Sequence, residues 1–267
     1  MLEVRILGCG SSGGVPRLGE GKPNWGACDP SNPKNRRSRC SVLVTRRSLQ
    51  GETRLLVDTS PDMREQLLAA NVGVLDAVLI THDHADQLHG IDDLRVVAMN
   101  MKRRLDMWSD LDGLSGVRKK FNYCFATPVG SDYPAILNAH EITEPFREFA
   151  IEGSGGPVPV LAFGQGHGRI RSLGFRFGAV AYSPDADHLD ETAFAALAGV
   201  ECWIVDALRH TPHPSHAHLE RTLDWIARVK PRRAILTNMH VDLDYDALAR
   251  DLPPGVEPAY DGMVVAV

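Results

Sequence analysis

The sequence predicts an α/β protein, an αββα sandwich of two mixed β-sheets packed face to face with helices outside. Three observations carry this. Short apolar segments rich in β-branched residues alternate with helix-period stretches along all 267 residues. Residues that carry chemistry follow directly on several of the apolar segments. No repeat of 20–50 residues and no long linker divides the chain, so residues 1–267 are read as a single domain.

The elements follow in order. Glu3–Leu7 reads as a strand that ends in the glycine-rich turn GCGSSGGVP, and a Pro- and Gly-rich stretch runs on to about residue 38. Strands are expected at Cys40–Thr45 and Arg54–Asp58. SPDMREQLLAANV is a helix, with Ser60 as N-cap, Pro61 at the first helical position and Met63, Leu67 and Leu68 as its apolar stripe. Ala77–Ile80 is a short strand leading into THDHADQLHG; a helical IDDLRVVAMNMKRR, a strand LDMWS and a helix DLDGLSGVRKKF come next. The second half gives strands at Val158–Ala162, Ser172–Phe177, Ala179–Ser183, Cys202–Val205 and Ala234–Thr237, with a helix over Leu219–Val229. A helix closing in ALARDLPPG and a strand DGMVVAV end the chain.

Composition excludes several classes. A formal net charge of −5 gives no bulk attraction to nucleic acid, and the Arg36/Arg37/Arg39 and Lys102/Arg103/Arg104 clusters read as solvated faces. The N-terminus lacks the cationic and apolar regions of a signal peptide, and no segment reaches the ~18 apolar residues of a membrane span. Five widely spaced cysteines with no CxxC pair read as free thiols in a reducing compartment, which makes the expected location cytoplasmic.

Gly8-Cys9-Gly10-Ser11-Ser12-Gly13 matches the GxGxxG letters after a strand. A dinucleotide fingerprint needs a helix to begin there, so that its N-terminus meets the pyrophosphate. The residues that follow, VPRLGEGKPNWG, are too rich in proline and glycine for that helix. The turn is therefore read as a backbone rim.

The stronger signal is His82-Asp83-His84-Ala85-Asp86, directly after an apolar strand. Two imidazoles at i and i+2 can turn toward one cation, and a carboxylate two residues on, opening a helix, can reach another. Imidazole with carboxylate suits Zn, Mn or Fe. His167 in FGQGHGRIRS is read as lying in a glycine-flanked turn, and Asp185 in AYSPDAD follows an apolar strand; both have the types needed to complete such a site.

HxHxD, a lone His, an Asp in an SxD turn and a late His together resemble the metallo-β-lactamase-fold pattern. Within that superfamily the chain is more similar to the PhnP-like phosphodiesterases, which hydrolyse cyclic phosphates such as phosphoribosyl 1,2-cyclic phosphate. The likeness rests on LGCGSSGGVP, WGAC, RRSRCS, LLVDTSPD, THDHAD, HGIDDLR, GQGHG, AYSPDAD, HPSHAHL, LTNMH and YDGM, spread over nearly the whole chain. It implies a first metal on His82, His84 and His167, a second on Asp86, and Asp185 bridging. It further implies His216 as the proton donor to the leaving oxygen, with Asp86 the second residue counted as catalytic. Asp58 would orient a ligand imidazole from behind.

The chain departs from that family where the second metal belongs. The usual HxHxDH has Gln87 in its last place, and the usual final histidine is Asn238. Histidines occur two residues onward in each case, at His89 and His240. Either His240 rebuilds the second site while His89 lines the substrate pocket with Asn238 and His216, or Asp86 and Asp185 hold a weak second metal with amide oxygens of Gln87 or Asn238; the first is preferred. Gln87 is otherwise a supporting residue behind the ligands. The family's cysteine-rich structural zinc is represented only by Cys28, and its absence is expected.

The resemblance thus implies one or two divalent transition metals and a cation-activated water attacking a small cyclic phosphate or nucleotide-like phosphodiester. The expected partner is a small phosphorylated substrate, nucleotide or phosphosugar; a homodimer is compatible, whereas membrane and nucleic acid are not expected. Two other readings stand beside it: a tRNA-processing-type endonuclease of the same superfamily, and a metal-degenerate protein that binds a phosphorylated ligand without cleaving it.

Overall fold

The computed structural model describes residues 1–266. Its strands are β1 (Leu2–Gly8), β2 (Ser41–Ser48), β3 (Gly51–Val57), β4 (Ala77–Leu79), β5 (Leu105–Ser109), β6 (Leu137–Glu141) and β7 (Phe149–Ile151). They continue as β8 (Val158–His167), β9 (Ile170–Phe177), β10 (Val180–Ser183), β11 (Cys202–Asp206), β12 (Arg233–Thr237), β13 (Val256–Pro258) and β14 (Val264–Ala266). The α-helices are α1 (Met63–Ala69), α2 (Ala85–Leu88), α3 (Leu94–Met101), α4 (Leu111–Phe121), α5 (Glu191–Leu197), α6 (Leu219–Val229) and α7 (Tyr245–Asp251).

Two seven-stranded sheets form, ordered β14-β1-β2-β3-β4-β5-β6 and β13-β12-β11-β10-β9-β8-β7. Each is antiparallel in one part and parallel in the other. In the first sheet β1, β2 and β3 pair antiparallel, and β3 to β6 are parallel. In the second, β7 to β10 are antiparallel and β10 to β13 parallel. The mixed αββα sandwich predicted from the sequence is the fold observed.

Side-chain alternation explains the layers. Val42 and Val44, Leu55 and Val57, and Ala77 and Leu79 face the second sheet, where they meet Phe175, Phe177, Tyr182 and Ile204. The intervening Leu43, Leu56 and Val78 face the opposite way, onto Met63 and Leu67 of α1, Leu94 and Val97 of α3, and Val117 of α4. A strand buried on both faces has to read as continuously apolar, as LLV and AVL do.

Some elements were not legible. β6 (LNAHE) has little apolar content, β7 has three residues, and β13 includes a proline at the sheet edge. α5 is short and held by Asp190, whose carboxylate accepts from the Ala193 amide at 2.8 Å. Ser60 is not the cap of α1. That helix starts at Met63 after Asp62, and Ser60 makes the preceding turn, its hydroxyl accepting from the Asp62 amide at 3.2 Å.

The glycine-rich turn contains no helix. A Cβ on Gly8 would lie 2.1 Å from the Arg39 carbonyl oxygen, and one on Gly10 would lie 2.8 Å from that of Arg37. These glycines allow two backbones to touch. The contact is clamped by Asp261, whose carboxylate accepts from the Cys9 amide (3.1 Å) and thiol (3.3 Å), and from the Ser38 amide and hydroxyl (both 2.7 Å). Among the described residues no helix is long and apolar enough to cross a membrane.

Asp261→Ala strands the Cys9 and Ser38 donors and should destabilise the fold by about 2 kcal/mol, because partly buried donors lose their acceptor. Urea denaturation measures this; a loss below about 0.5 kcal/mol, the scale of an ordinary surface change, would show that the clamp is dispensable.

Candidate metal centre

The polar side chains of interest lie where strands end. Asp58 follows β3, Thr81 and His82 follow β4, and His167 ends β8. Asp185 follows β10, Asp206 ends β11, and Asn238 follows β12. His167 is thus the last residue of a strand longer than the sequence suggested, and not a turn residue.

His82, His84 and His167 converge, each offering a ring nitrogen within 4.8 Å of the other two. Their tautomers follow from their partners. The Thr81 hydroxyl lies 2.9 and 3.0 Å from the two Asp58 oxygens and 3.0 Å from His82 Nδ1. Its single proton goes to the carboxylate, so it accepts from Nδ1–H and leaves the lone pair on Nε2. His167 Nδ1 donates to the Ser215 carbonyl at 2.6 Å, which leaves its Nε2 lone pair 3.2 Å from His84 Nδ1. Asp58 therefore acts on the His82 imidazole through Thr81. Burial, with the neighbouring imidazoles, holds His82 well below the usual histidine range, and burial with His216 brings His167 down to about 4. Both rings are neutral at pH 7, the form that binds a cation.

A second group joins His167, Asp185 and His216, again within 4.8 Å. His216 Nδ1 is 2.8 Å from Asp206 Oδ2, so Nε2 is the free nitrogen on the site side. Burial would lower His216, but Asp206, then Asp185 and Asp86, outweigh it and bring it to about 9. Burial pushes Asp185 well above the carboxylate range and Asp206 to about 6, each opposed by His216. Asp206 escaped the sequence reading, although CWIVD ends in Asp after an apolar strand just as LLVD does.

The remaining predicted residues are placed as follows. Asp86 opens α2 half-buried, close enough for its charge to act on His216 and Asp185. His240 stands outside both groups, with Nδ1 2.9 Å from Asp242. His89 is exposed at the rim, its ring edge-on to Phe121 at 5.4 Å. Gln87 and Asn238 are buried, and the nitrogens of their amides point inward. Gln87 Nε2 donates to Asp185 Oδ2 at 2.9 Å, and Asn238 Nδ2 donates to the Pro184 carbonyl at 2.7 Å and to Asp185 Oδ1 at 3.4 Å. Lys120 of α4 ties the motif loop from outside, binding Asp83 Oδ2 at 2.7 Å.

The three imidazoles fit a divalent transition metal. His82 Nε2 is buried with no hydrogen-bond partner, and the His167 Nε2 lone pair turns toward His84 Nδ1, 3.2 Å away. The surroundings of Asp185 differ: N–H groups, not lone pairs, face its carboxylate.

Comparison with known proteins identifies the family and the fold. The family model described as Beta-lactamase superfamily domain matches residues 53–239. A relative named octanoyltransferase, from Porphyromonas gingivalis (strain ATCC BAA-308 / W83), is 30% identical over 97% of this chain and 50% of its own length. The chain thus spans about half the length of that relative. Among solved structures, a diphosphatase from the PhnP family has a TM-score of 0.85 at 28% identity, covering 99% of this chain and 96% of that one. Zn(2+)-bound PqqB from Methylobacterium extorquens (TM-score 0.73, 18% identity, 99% and 100% covered) and the short form of human tRNase Z (0.66, 16%, 99% and 98%) share the fold.

Thr81→Val removes the hydroxyl that fixes the His82 tautomer and should weaken zinc binding by about 10-fold. Competition against a chromophoric chelator measures the change; unaltered affinity would deny Thr81 this role.

Proposed function

This chain belongs to the beta-lactamase superfamily, and from that premise we propose that it is a metal-dependent hydrolase of small phosphodiesters, cyclic phosphates or nucleotide-like esters. The observation that carries the reading is the cluster of three converging imidazoles, His82, His84 and His167, beside an imidazole held by a buried carboxylate. The 28% identity to a PhnP-family diphosphatase, over nearly the full length of both chains, supports phosphorus as the reacting centre. The octanoyltransferase name belongs to a protein of which this chain matches half. Imidazoles and carboxylates gather at the present site, while all five cysteines are buried, so acyl transfer through a thiol gains no support from it.

His82, His84 and His167 would hold the cation, which when bound supplies a Lewis acid and lowers the pKa of water toward about 7. His216 then has the remaining task. Asp206 fixes its Nδ1, so the proton available to a departing ester oxygen is carried on Nε2. His213 lies beside His216, ring centres 5.2 Å apart, and Arg209, whose charge acts on His213 and His240, would offer a cation to an anionic substrate there. His89 and Phe121 would form the apolar side of the same opening.

Purified protein supplied with Mn²⁺ or Zn²⁺ should hydrolyse bis(p-nitrophenyl) phosphate. In His216→Ala, kcat should fall roughly 10²–10⁴-fold, the usual contribution of a positioned proton donor, with metal content unchanged. Loss of metal from that variant would make His216 a ligand. Absence of hydrolysis by the loaded wild type, with a phosphorylated ligand still bound, would favour a binding protein instead.

A further inference from the structure

We infer that this chain holds a single catalytic cation, and that hydrogen bonds from Gln87 and Asn238 to Asp185 stand where a second cation would otherwise sit. The inference needs only that the three-histidine site takes a divalent metal, so it is independent of which ester is cleaved.

A carboxylate that bridges two metals must turn a free lone pair toward each of them, from one oxygen or from both. Here both Asp185 oxygens face amide N–H groups, Oδ2 toward Gln87 Nε2 at 2.9 Å and Oδ1 toward Asn238 Nδ2 at 3.4 Å. An amide nitrogen has no lone pair to give a metal, and its hydrogens carry positive charge, so a cation beside them meets repulsion.

Neither amide can be turned to offer its oxygen instead. Flipping Asn238 would set its oxygen 2.7 Å from the Pro184 carbonyl oxygen and against Asp185 Oδ1, and the N–H nearest to it, His216 Nδ1 at 3.2 Å, is already given to Asp206. Flipping Gln87 would press its oxygen on Asp185 Oδ2 at 2.9 Å. Both residues are buried, at 0% and 1% exposure, so water cannot relieve either clash. Asn238 is further fixed by its left-handed backbone, φ 60°, directly after β12. His240 does not take the vacated role, because its imidazole pairs with Asp242 outside the cluster.

Metal-stripped wild-type protein titrated with Zn²⁺, with bound metal counted by mass spectrometry of the native chain and by elemental analysis, should saturate at one equivalent. Gln87→His/Asn238→His, checked for folding by circular dichroism, should saturate at two. When both are loaded with Co²⁺, spin coupling should appear in the electron paramagnetic resonance of the double variant alone. Two equivalents in the wild type would overturn the inference while leaving the hydrolase reading intact. A folded double variant that stays at one would also overturn it, since the amides would not be what excludes the second cation. No uptake by the wild type would remove both the single-cation inference and the metal centre itself.

Discussion

Asp58, Asp185 and Asp206 are almost wholly removed from water, at 0–1% exposure, each at or just beyond the carboxyl end of a strand. A buried carboxylate left unmatched costs several kcal/mol, so each must face donors or a cation. The way each is matched sets the position of the next side chain. Asp58 takes the amide and hydroxyl of Thr81, and the hydroxyl then sets His82. Asp206 takes the Ala186 amide and His216 Nδ1, which aims the other nitrogen of that ring. Asp185 takes the two amides. The geometry of the centre follows from the contacts of three buried carboxylates, and the sandwich supplies the strand ends on which they stand.

Much of this was legible because it depends on local pattern. Continuous apolar runs such as LLV and AVL gave strands buried on both faces, and HxHxD after such a strand gave the first two imidazoles. β6, β7 and β13 were not legible, since a short edge strand has little apolar surface to bury and so carries little period. Asp206 was missed for a different reason. Its meaning is its distance to His216, ten residues away across a loop, and no spacing in the chain encodes that contact.

The substitutions at 87 and 238 show the boundary most clearly. From the letters alone, an amide could offer oxygen to a metal or nitrogen to a carboxylate, and a histidine two residues on looked like a replacement. The Pro184 carbonyl decides the Asn238 orientation, and Asp242 occupies His240. Both are tertiary contacts. A side chain with a donor at one end and an acceptor at the other has a chemical identity that the sequence fixes only once its neighbours are known.

The glycine-rich turn also acquires a physical role at this point. Gly8 and Gly10 let the turn lie against residues 37–39, and Asp261 clamps it there. The turn then meets the segment after β12: the Met239 amide donates to the Cys9 carbonyl at 2.9 Å, and the Ser11 amide donates to the Met239 carbonyl at 3.3 Å. Met239 is thereby pinned on both sides. Its neighbour Asn238 is held at a positive φ that asparagine tolerates better than most residues, and its amide is directed inward at Asp185. A motif whose letters suggest a phosphate cradle instead braces, from the far end of the chain, the segment that carries Asn238. The N-terminal turn, the C-terminal Asp261 and the Asp185 environment form one mechanical unit, and the donor that faces Asp185 is set by backbone contacts made more than 200 residues away in the sequence.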